Sequence, residues 1–270
     1  MPELPEVEVT RLGILPYLHN QTIERILVHQ PQMRWPVPQN VHLCEGLPVS
    51  AVSRRAKYLF ITTQAGSLVL HLGMSGRMRV VDQALDRQKH DHIEIFLSNG
   101  KKLVLNDARR FGSCLWQGAN EQSLKLLENL GPEPLTAEFD ENRLYTLSRG
   151  RQSPVKNFIM DNQVVVGVGN IYANEALFLA GIDPRRKAGK VSRARYVQLT
   201  KHIKEVLAQA IKQGGTTLKD FAQADGNPGY FALKLNVYGK AGQACVVCNT
   251  PIRSQNVGQR NTFFCIKCQK

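Results

Sequence analysis

Hydrophobic and polar positions alternate along the first half of the chain, a pattern typical of β-strands. Ile93 and Ile95 lie two positions apart, and the pair Asn99-Gly100 that follows favours a tight two-residue turn. The alternation resumes after the pair, so this segment predicts a β-hairpin. Short apolar runs recur between residues 20 and 116 without helical segments between them, which predicts an antiparallel sandwich or barrel.

A helix is predicted before these strands. Leu4, Val7, Ile14, Leu15 and Leu18 fall within one helical face. The prolines at the start of this segment suit the first turn of a helix, where proline is favoured.

The second half of the chain has a helical pattern. Residues 131–134 contain a glycine and two prolines, which indicates a domain boundary. Asn170 is expected to cap a helix that stops at Gly181, and Ser192 a longer helix that ends at Gly214. These two helices predict a helix–turns–helix element.

The charge of the chain indicates an anionic partner. Its formal net charge is +13 and its isoelectric point is near 9.6, and such a balance most often accompanies nucleic-acid binding. The first twenty residues lack the basic and apolar regions of a signal peptide. No apolar stretch approaches the length of about 18 residues that a membrane span needs. We therefore expect a cytosolic protein without a membrane partner.

Four of the six cysteines predict a metal site. Cys245, Cys248, Cys265 and Cys268 form two Cys-x2-Cys pairs, and two such pairs joined by a hairpin supply the four thiolates of a tetrahedral zinc site. Two disulfides are the alternative, which a reducing cytosol disfavours. Because four thiolates leave no open coordination position, the expected zinc is structural.

The proline at position 2 has two interpretations. Pro2 and Pro5 simply start a helix, or removal of Met1 exposes a secondary amine at Pro2 next to the carboxylate of Glu3. An α-amino group titrates near pH ~8, well below lysine, so a useful fraction is neutral at physiological pH. A neutral amine beside an acid is suited to covalent attack on a sugar carbon.

Several segments, taken in their order along the chain, resemble one family. They are Pro2-Glu3-Leu4-Pro5-Glu6, Arg55-Ala56-Lys57-Tyr58, His71-Leu72-Gly73-Met74-Ser75-Gly76, Arg109-Arg110-Phe111-Gly112, Gly167-Val168-Gly169-Asn170-Ile171-Tyr172 and the cysteine hairpin. The ordered set resembles bacterial formamidopyrimidine-DNA glycosylases, the base-excision enzymes for oxidised purines. The resemblance runs from residue 2 to the final lysine.

The resemblance implies a bifunctional glycosylase and lyase with four catalytic residues. Pro2 would attack C1′ of the damaged nucleotide, displace the base and form a Schiff base that permits β,δ-elimination of the phosphates. Glu3 would be the adjacent acid that helps to open the sugar ring, and Lys57 a second proton donor and phosphate contact. Arg260, at the tip of the zinc hairpin, would grip the phosphates around the lesion and assist the final elimination.

The resemblance also implies how duplex DNA is held. An enzyme that acts on a base within a duplex must extrude that base and keep the gap open. Met74, Arg109 and Phe111 match the trio that fills the gap in this family. The positions that match DNA contacts are His90, Arg109, Arg151, Lys156 and Asn170. Their expected targets are phosphates, which position a duplex without reading its sequence.

The expected fold is a multidomain α+β protein. Residues 1–131 are predicted to form an N-terminal catalytic antiparallel β-sandwich with flanking helices, followed by a linker over 132–150. Residues 151–235 are predicted to form a helix–two-turns–helix DNA-binding domain whose loop 214–235 caps the lesion, and 236–270 the zinc-finger hairpin. The expected partners are one structural zinc and damaged double-stranded DNA. We expect a monomer in the bacterial cytoplasm, associated with the nucleoid through DNA.

Two other functions stay open at this point. An endonuclease VIII-like glycosylase for oxidised pyrimidines typically has glycine where this chain has Leu4 and lacks the 214–235 loop, so both features favour the purine enzyme. A non-catalytic zinc-ribbon protein would use the same basic surface but has no use for a free N-terminal amine. One departure from the family pattern is Ala108, where relatives commonly carry proline.

Overall fold

The structure, a computed structural model, describes residues 2–214 and 235–270. The described residues form two compact units: the first runs to Glu128, and the second comprises Asn129–Lys212 and the chain from residue 235. The predicted lesion-capping loop, 214–235, lies outside the described residues apart from its two ends. None of the described helices is both long enough and apolar enough to cross a membrane.

The first unit combines one long helix with eight strands. The helices are α1 (Leu4–Leu18), α2 (Lys125–Glu128) and a 3-10 turn (Gln39–Cys44), and the strands are β1 (Ile23–Val28), β2 (Ala51–Arg55), β3 (Tyr58–Thr63), β4 (Gly66–His71), β5 (Arg77–Asp82), β6 (Asp91–Leu97), β7 (Lys101–Asn106) and β8 (Ser113–Gly118). One sheet has the order β1-β6-β7-β5 and the other β2-β3-β4-β8, with antiparallel neighbours throughout. A single apolar core contains residues of both sheets and of α1, so the predicted antiparallel sandwich is confirmed.

The hairpin predicted at Asn99-Gly100 forms, but its turn is one residue longer than the expected two-residue turn. Ile93 lies opposite Leu105 and Phe96 opposite Lys102 across β6 and β7, a register that leaves the three residues 98–100 between positions 97 and 101. The strict alternation of buried and exposed positions is wrong for β6, however, because all seven of its residues are buried. On the face away from the core, Glu94 and Lys102 form a buried ion pair at 2.7 Å, since a buried charge needs an opposite charge beside it.

Helix α1 buries most of the predicted face, together with two polar residues that were not predicted to be buried. Leu15 is only half-buried, whereas Glu6 and Thr10 are buried with the expected leucines and valine. The Thr10 hydroxyl donates to the Glu6 carbonyl at 2.8 Å, and the Glu6 carboxylate accepts the Glu3 N–H at 2.8 Å. These hydrogen bonds satisfy Glu6 and Thr10 and so allow both polar side chains to be buried on the interior face of α1.

The second unit is helical and ends in a two-stranded hairpin. Its elements are α3 (Glu141–Ser148), α4 (Val155–Ile159), α5 (Asn170–Leu179), a 3-10 turn (Ala188–Lys190), α6 (Arg193–Lys212), β9 (Arg253–Val257) and β10 (Arg260–Phe264). The segment 132–150, predicted as a linker, therefore contains a helix. Asp140 caps α3 by accepting the Arg143 N–H at 2.8 Å, and Leu144 within α3 is fully buried.

The predicted caps of the two longer helices have different outcomes. Ser192 precedes α6 and its hydroxyl oxygen accepts the Arg195 N–H at 3.4 Å, as expected. Asn170 is not the cap of α5, because Gly169 occupies the cap position and Asn170 is the first helical residue. The Asn170 amide is instead used in a contact with β10, described below.

Candidate active site, nucleic-acid interface and metal centre

The N-terminal residues lie at the start of α1. Glu3 caps the helix in a capping box with Glu6, and the exposed fractions of these two residues are only 2% and 0%. Pro2 is partly exposed and directly precedes this buried pair. The position of the Pro2 ring is therefore set by a backbone whose next N–H is hydrogen-bonded to Glu6.

Lys57 lies in the tight turn between β2 and β3. Its neighbour Ala56 adopts a left-handed backbone, with φ of 52°. The Arg54 guanidinium donates to the Ala56 carbonyl at 2.8 Å and to the Glu8 carboxylate at 2.9 Å. Because Glu8 belongs to α1, these bonds connect the Lys57 turn to the helix that begins beside Pro2.

His71, at the end of β4, is a polar residue of this region that the sequence-based site omitted. Its ring lies 4.9 Å from the Tyr58 ring, centroid to centroid, and its Nδ1 accepts the Gly73 N–H at 3.0 Å. Burial, followed by the positive charges of Arg34 and Lys57, lowers the pKa of His71 to about 4 against a weaker opposing effect of Asp107. The ring is therefore neutral at physiological pH. The sequence did contain a signal for His71, because this residue begins the segment 71–76 that also contains Met74.

The three predicted gap-filling residues lie on two adjacent loops of the first unit. Met74 and Phe111 are exposed, at 37% and 43%, so neither belongs to the core. The guanidinium carbon of Arg109 lies 4.7 Å from the centroid of the Phe111 ring. All three border a cavity of about 660 Å³, which is lined by Gln32, Met33, Arg34, His71, Gly73, Met74, Arg109, Arg110 and Phe111.

His90 follows an exposed loop and has a left-handed backbone, with φ of 72°. The next residue, Asp91, is buried and accepts hydrogen bonds from Arg79, Asn106 and the Gln88 N–H at 2.7 to 2.9 Å. These bonds outweigh the effect of burial and hold the pKa of Asp91 below its usual range. The buried carboxylate thus fixes the backbone on which the half-buried His90 is carried.

In the second unit, Arg151 is exposed between α3 and α4, whereas Lys156 is not at the surface. Lys156 is fully buried, and its ammonium donates to Thr262 Oγ1 at 2.6 Å. The Thr262 hydroxyl in turn donates to the Arg260 carbonyl at 3.0 Å. Without DNA, the Lys156 ammonium therefore supports the hairpin strand, and its contact with DNA stays a prediction.

Arg260 begins β10, immediately after the tight turn Gly258-Gln259. Its side chain is exposed. The strand that follows is held against α5, because the Asn170 amide donates to the Asn261 carbonyl at 3.0 Å and Asn174 Oδ1 accepts the Phe263 N–H at 2.8 Å. Helix α5 therefore sets the position of the strand that carries Arg260.

Glu175 is a second residue that the sequence-based site omitted. It is 4% exposed, and its carboxylate accepts the N–H groups of Asn236, Val237 and Tyr238 at 2.7 to 2.9 Å. This single carboxylate fixes the chain where it enters the cysteine hairpin. No sequence signal identified it, since its partners lie about sixty positions away.

The four predicted metal ligands lie together. All four sulfur atoms are within 4.8 Å of one another; Cys248 lies 3.4 Å from Cys265, and Cys245 lies 3.9 Å from Cys268. A tetrahedral zinc with Zn–S bonds of about 2.3 Å requires sulfur separations of roughly 3.8 Å. The cluster therefore fits a four-thiolate metal site, and Cys44 and Cys114 are buried elsewhere.

Comparison with known families assigns three regions of the chain. Residues 1–114 match the formamidopyrimidine-DNA glycosylase N-terminal domain, residues 130–222 its H2TH domain, and residues 242–270 a zinc finger found in FPG and IleRS. Together with the sandwich, the helical unit and the four thiols, these matches define a DNA glycosylase, an enzyme of DNA repair that acts on damaged DNA. This assignment excludes the non-catalytic zinc-ribbon alternative.

Named relatives identify the family of DNA glycosylases to which the chain belongs. The chain is 64% identical to formamidopyrimidine-DNA glycosylase of Pseudoalteromonas atlantica and 63% identical to that of Alteromonas mediterranea, over the full length of each protein. The chain belongs to the formamidopyrimidine-DNA glycosylase family.

Solved structures agree with this assignment. The MutM (Fpg) protein of Thermus thermophilus is 36% identical with a TM-score of 0.89, and the alignment covers 99% of this chain and 98% of that one. The Lactococcus lactis Fpg in complex with DNA containing an abasic site is 31% identical with a TM-score of 0.91, and a mutant of it with DNA containing Fapy-dG is 30% identical with a TM-score of 0.92. Both of these cover each chain fully.

The neutral His71 ring leads to a prediction about pH. We expect the NMR signals of this ring in the folded protein to stay at their neutral positions from pH 8 down to about 5.5, since the pKa is about 4. In urea the same ring should titrate near pH ~6.5. Because the unfolded state then binds the proton more readily, His71 favours the folded state above pH ~6.5 and loses this contribution as the pH falls towards 4. A folded-state midpoint near 6.5 would contradict the buried, neutral assignment.

Proposed function

We propose that the protein is a bifunctional DNA glycosylase and lyase that excises oxidised purines, 8-oxoguanine and formamidopyrimidines, from duplex DNA. The observation that carries the proposal is the placement of Pro2 directly before the buried pair Glu3 and Glu6 at the start of α1. Solved relatives in complex with DNA that contains Fapy-dG or carbocyclic 8-oxo-G support the purine substrates.

In the proposed reaction, the Pro2 nitrogen, freed by removal of Met1, attacks C1′ and the base departs with the glycosidic electron pair. Loss of the ring oxygen from C1′ then leaves an iminium between Pro2 and the sugar. The cationic iminium acidifies C2′, and loss of a C2′ proton expels the 3′ phosphate. The conjugated iminium that results acidifies C4′, and loss of that proton expels the 5′ phosphate. Glu3, the acid beside Pro2, serves the ring-opening step, and Lys57 is a second proton donor and phosphate contact. Arg260 grips the phosphates around the lesion and assists the final elimination.

The duplex is held by exposed cationic and polar residues on both units. We assign the phosphate contacts to His90, Arg109, Arg151 and Asn170, which are half-buried or exposed. Met74 and Phe111 fill the gap left by the extruded base, with Arg109 towards the unpaired base. The exposure of these apolar side chains beside a cavity supports the assignment, because apolar side chains are the wedges that proteins insert between base steps.

We infer that one zinc ion binds the four cysteines and has a structural role. The sulfur separations fit a tetrahedral thiolate site. When bound, the ion would fix the hairpin whose other side is held by Asn170, Asn174 and Lys156. We further infer that the protein acts as a monomer on the DNA of the bacterial cytoplasm.

Borohydride trapping tests the covalent step. On a duplex with 8-oxoguanine opposite cytosine, we expect a reduced adduct that peptide mapping locates at Pro2, since only an amine that has formed an imine is trapped. A form with an uncleaved N-terminal extension converts the Pro2 nitrogen to an amide and should give no adduct. The same extension at the C-terminus is the matched control and should react normally. Trapping at a lysine, or unchanged strand cutting by the N-terminally extended form, would contradict the mechanism.

Metal analysis tests the zinc site. We expect one zinc per chain by atomic absorption, and a large loss of zinc in Cys248→Ser because three thiolates bind the ion less tightly. Lesion binding and strand cleavage should fall together in this variant. The matched control is Cys44→Ala, whose thiol is buried in the first unit and whose zinc content should not change. Full DNA binding by zinc-free Cys248→Ser would show that the hairpin is dispensable.

A further inference from the structure

We propose that Asp107 is a positioning residue that holds Met74, Arg109 and Phe111 in one arrangement before DNA binds, and thereby sets the rate of base extrusion. The inference rests on the proposed function, since it assigns these three side chains to the gap left by the extruded base. It concerns a residue that does not touch DNA: Asp107 is 0% exposed.

The carboxylate of Asp107 contacts both loops that carry the trio. Its Oδ1 accepts the Ser75 hydroxyl at 2.6 Å and the Arg109 N–H at 3.2 Å, and its Oδ2 accepts the Gly112 N–H at 2.7 Å. Ser75 directly follows Met74, whereas Arg109 and Gly112 enclose Phe111. One buried side chain therefore joins the Met74 loop to the loop of Arg109 and Phe111.

The main chain of Asp107 extends the connection to a phosphate-binding residue. Its N–H donates to the His90 carbonyl at 3.0 Å, and its carbonyl accepts the Arg110 N–H at 3.3 Å and lies 2.8 Å from His92 Nε2. Arg110 has a left-handed backbone, with φ of 56°. A non-glycine residue holds that conformation only when its surroundings impose it, and the bonds to Asp107 supply the restraint.

The two loops also touch each other directly. Gly73 has φ of 63°, and a Cβ built on it would lie 2.3 Å from the Phe111 carbonyl carbon. The Arg34 N–H donates to the Gly112 carbonyl at 3.1 Å. With this close approach, a displacement of one loop displaces the other, so a bond at Asp107 acts on all three exposed side chains.

A simpler explanation is that Asp107 only caps its own turn. Its bonds to Arg109 and Gly112 fit that explanation, because aspartate often accepts the N–H groups of residues that follow it. The bond to Ser75 does not, since Ser75 is 32 positions away and belongs to another loop. Ser75→Ala therefore separates the two explanations, because it removes the hydrogen bond from Asp107 to the other loop and leaves the turn intact.

The experiment compares Asp107→Asn and Ser75→Ala with matched controls. In Asp107→Asn, one carboxylate oxygen becomes an NH2 group, which places a donor against an existing donor. Asp82→Asn changes a largely exposed side chain, and Ser67→Ala removes a hydroxyl that contacts only Thr62 among the described residues. All variants are first compared by thermal unfolding.

Two measurements report on different steps. The first is the single-turnover rate of excision from a duplex with 8-oxoguanine opposite cytosine, compared with cleavage of a single strand that already contains an abasic site, which has no base to extrude. The second is the fluorescence of 2-aminopurine next to the lesion, which rises when the side chains disturb base stacking. The second measurement requires binding and extrusion but no catalysis.

We expect Asp107→Asn to slow excision and the fluorescence rise at least tenfold, and Ser75→Ala to slow both by a smaller factor, while cleavage of the single-stranded abasic site stays within twofold. The control variants should match wild type in all three. Equal loss on both substrates would show a structural role alone and overturn the proposal, as would wild-type extrusion by both variants. If wild type gives a fluorescence rise but no excision, the proposed function fails, and the fluorescence of the variants still decides the role of Asp107.

Discussion

Buried carboxylates that accept the backbone N–H groups of irregular segments are the interaction on which the functional surfaces of this protein depend. Most of the residues proposed to contact DNA lie on loops, and a loop near the interior leaves N–H groups that neither a helix nor a sheet satisfies. Asp107 satisfies two such groups in the gap-filling loop, Asp91 one before His90, and Glu175 three at the entry to the cysteine hairpin. These carboxylates thus satisfy N–H groups that would otherwise be buried without a partner, and they fix the backbone that carries exposed side chains.

In the second unit, hydrogen bonds from buried or half-buried side chains hold the hairpin in place. A two-stranded hairpin is marginally stable by itself, and the strand of Arg260 is held on one side by the four-cysteine site and on the other by Lys156, Asn170 and Asn174. Burial of the Lys156 ammonium is tolerated because hydrogen bonds replace its water. A zinc ion bound to the four cysteines would contribute to an enzyme without an open coordination position, because it would fix the support of an arginine.

Features that depend on short stretches of sequence could be predicted, and features that depend on distant partners could not. The β6–β7 hairpin follows from alternation and Asn99-Gly100, and the thiol cluster follows from cysteine spacing. The burial of Lys156 depends on Thr262, which is 106 positions away, so its sequence context resembles that of any surface lysine. The role of Asp107 has the same origin, because no local pattern indicates that Ser75 would reach it.

Hydrogen bonds to buried carboxylates hold the loops of the functional site in place before DNA arrives. Amide hydrogen exchange in the DNA-free protein, followed by NMR, measures this restraint at the N–H groups of Arg109, Gly112 and Val237. We expect these three amides, although outside helices and strands, to exchange far more slowly than the same residues in an unstructured peptide, because each donates to a buried carboxylate. Exchange at the rate of the unstructured peptide would instead show that the loops become ordered only on DNA.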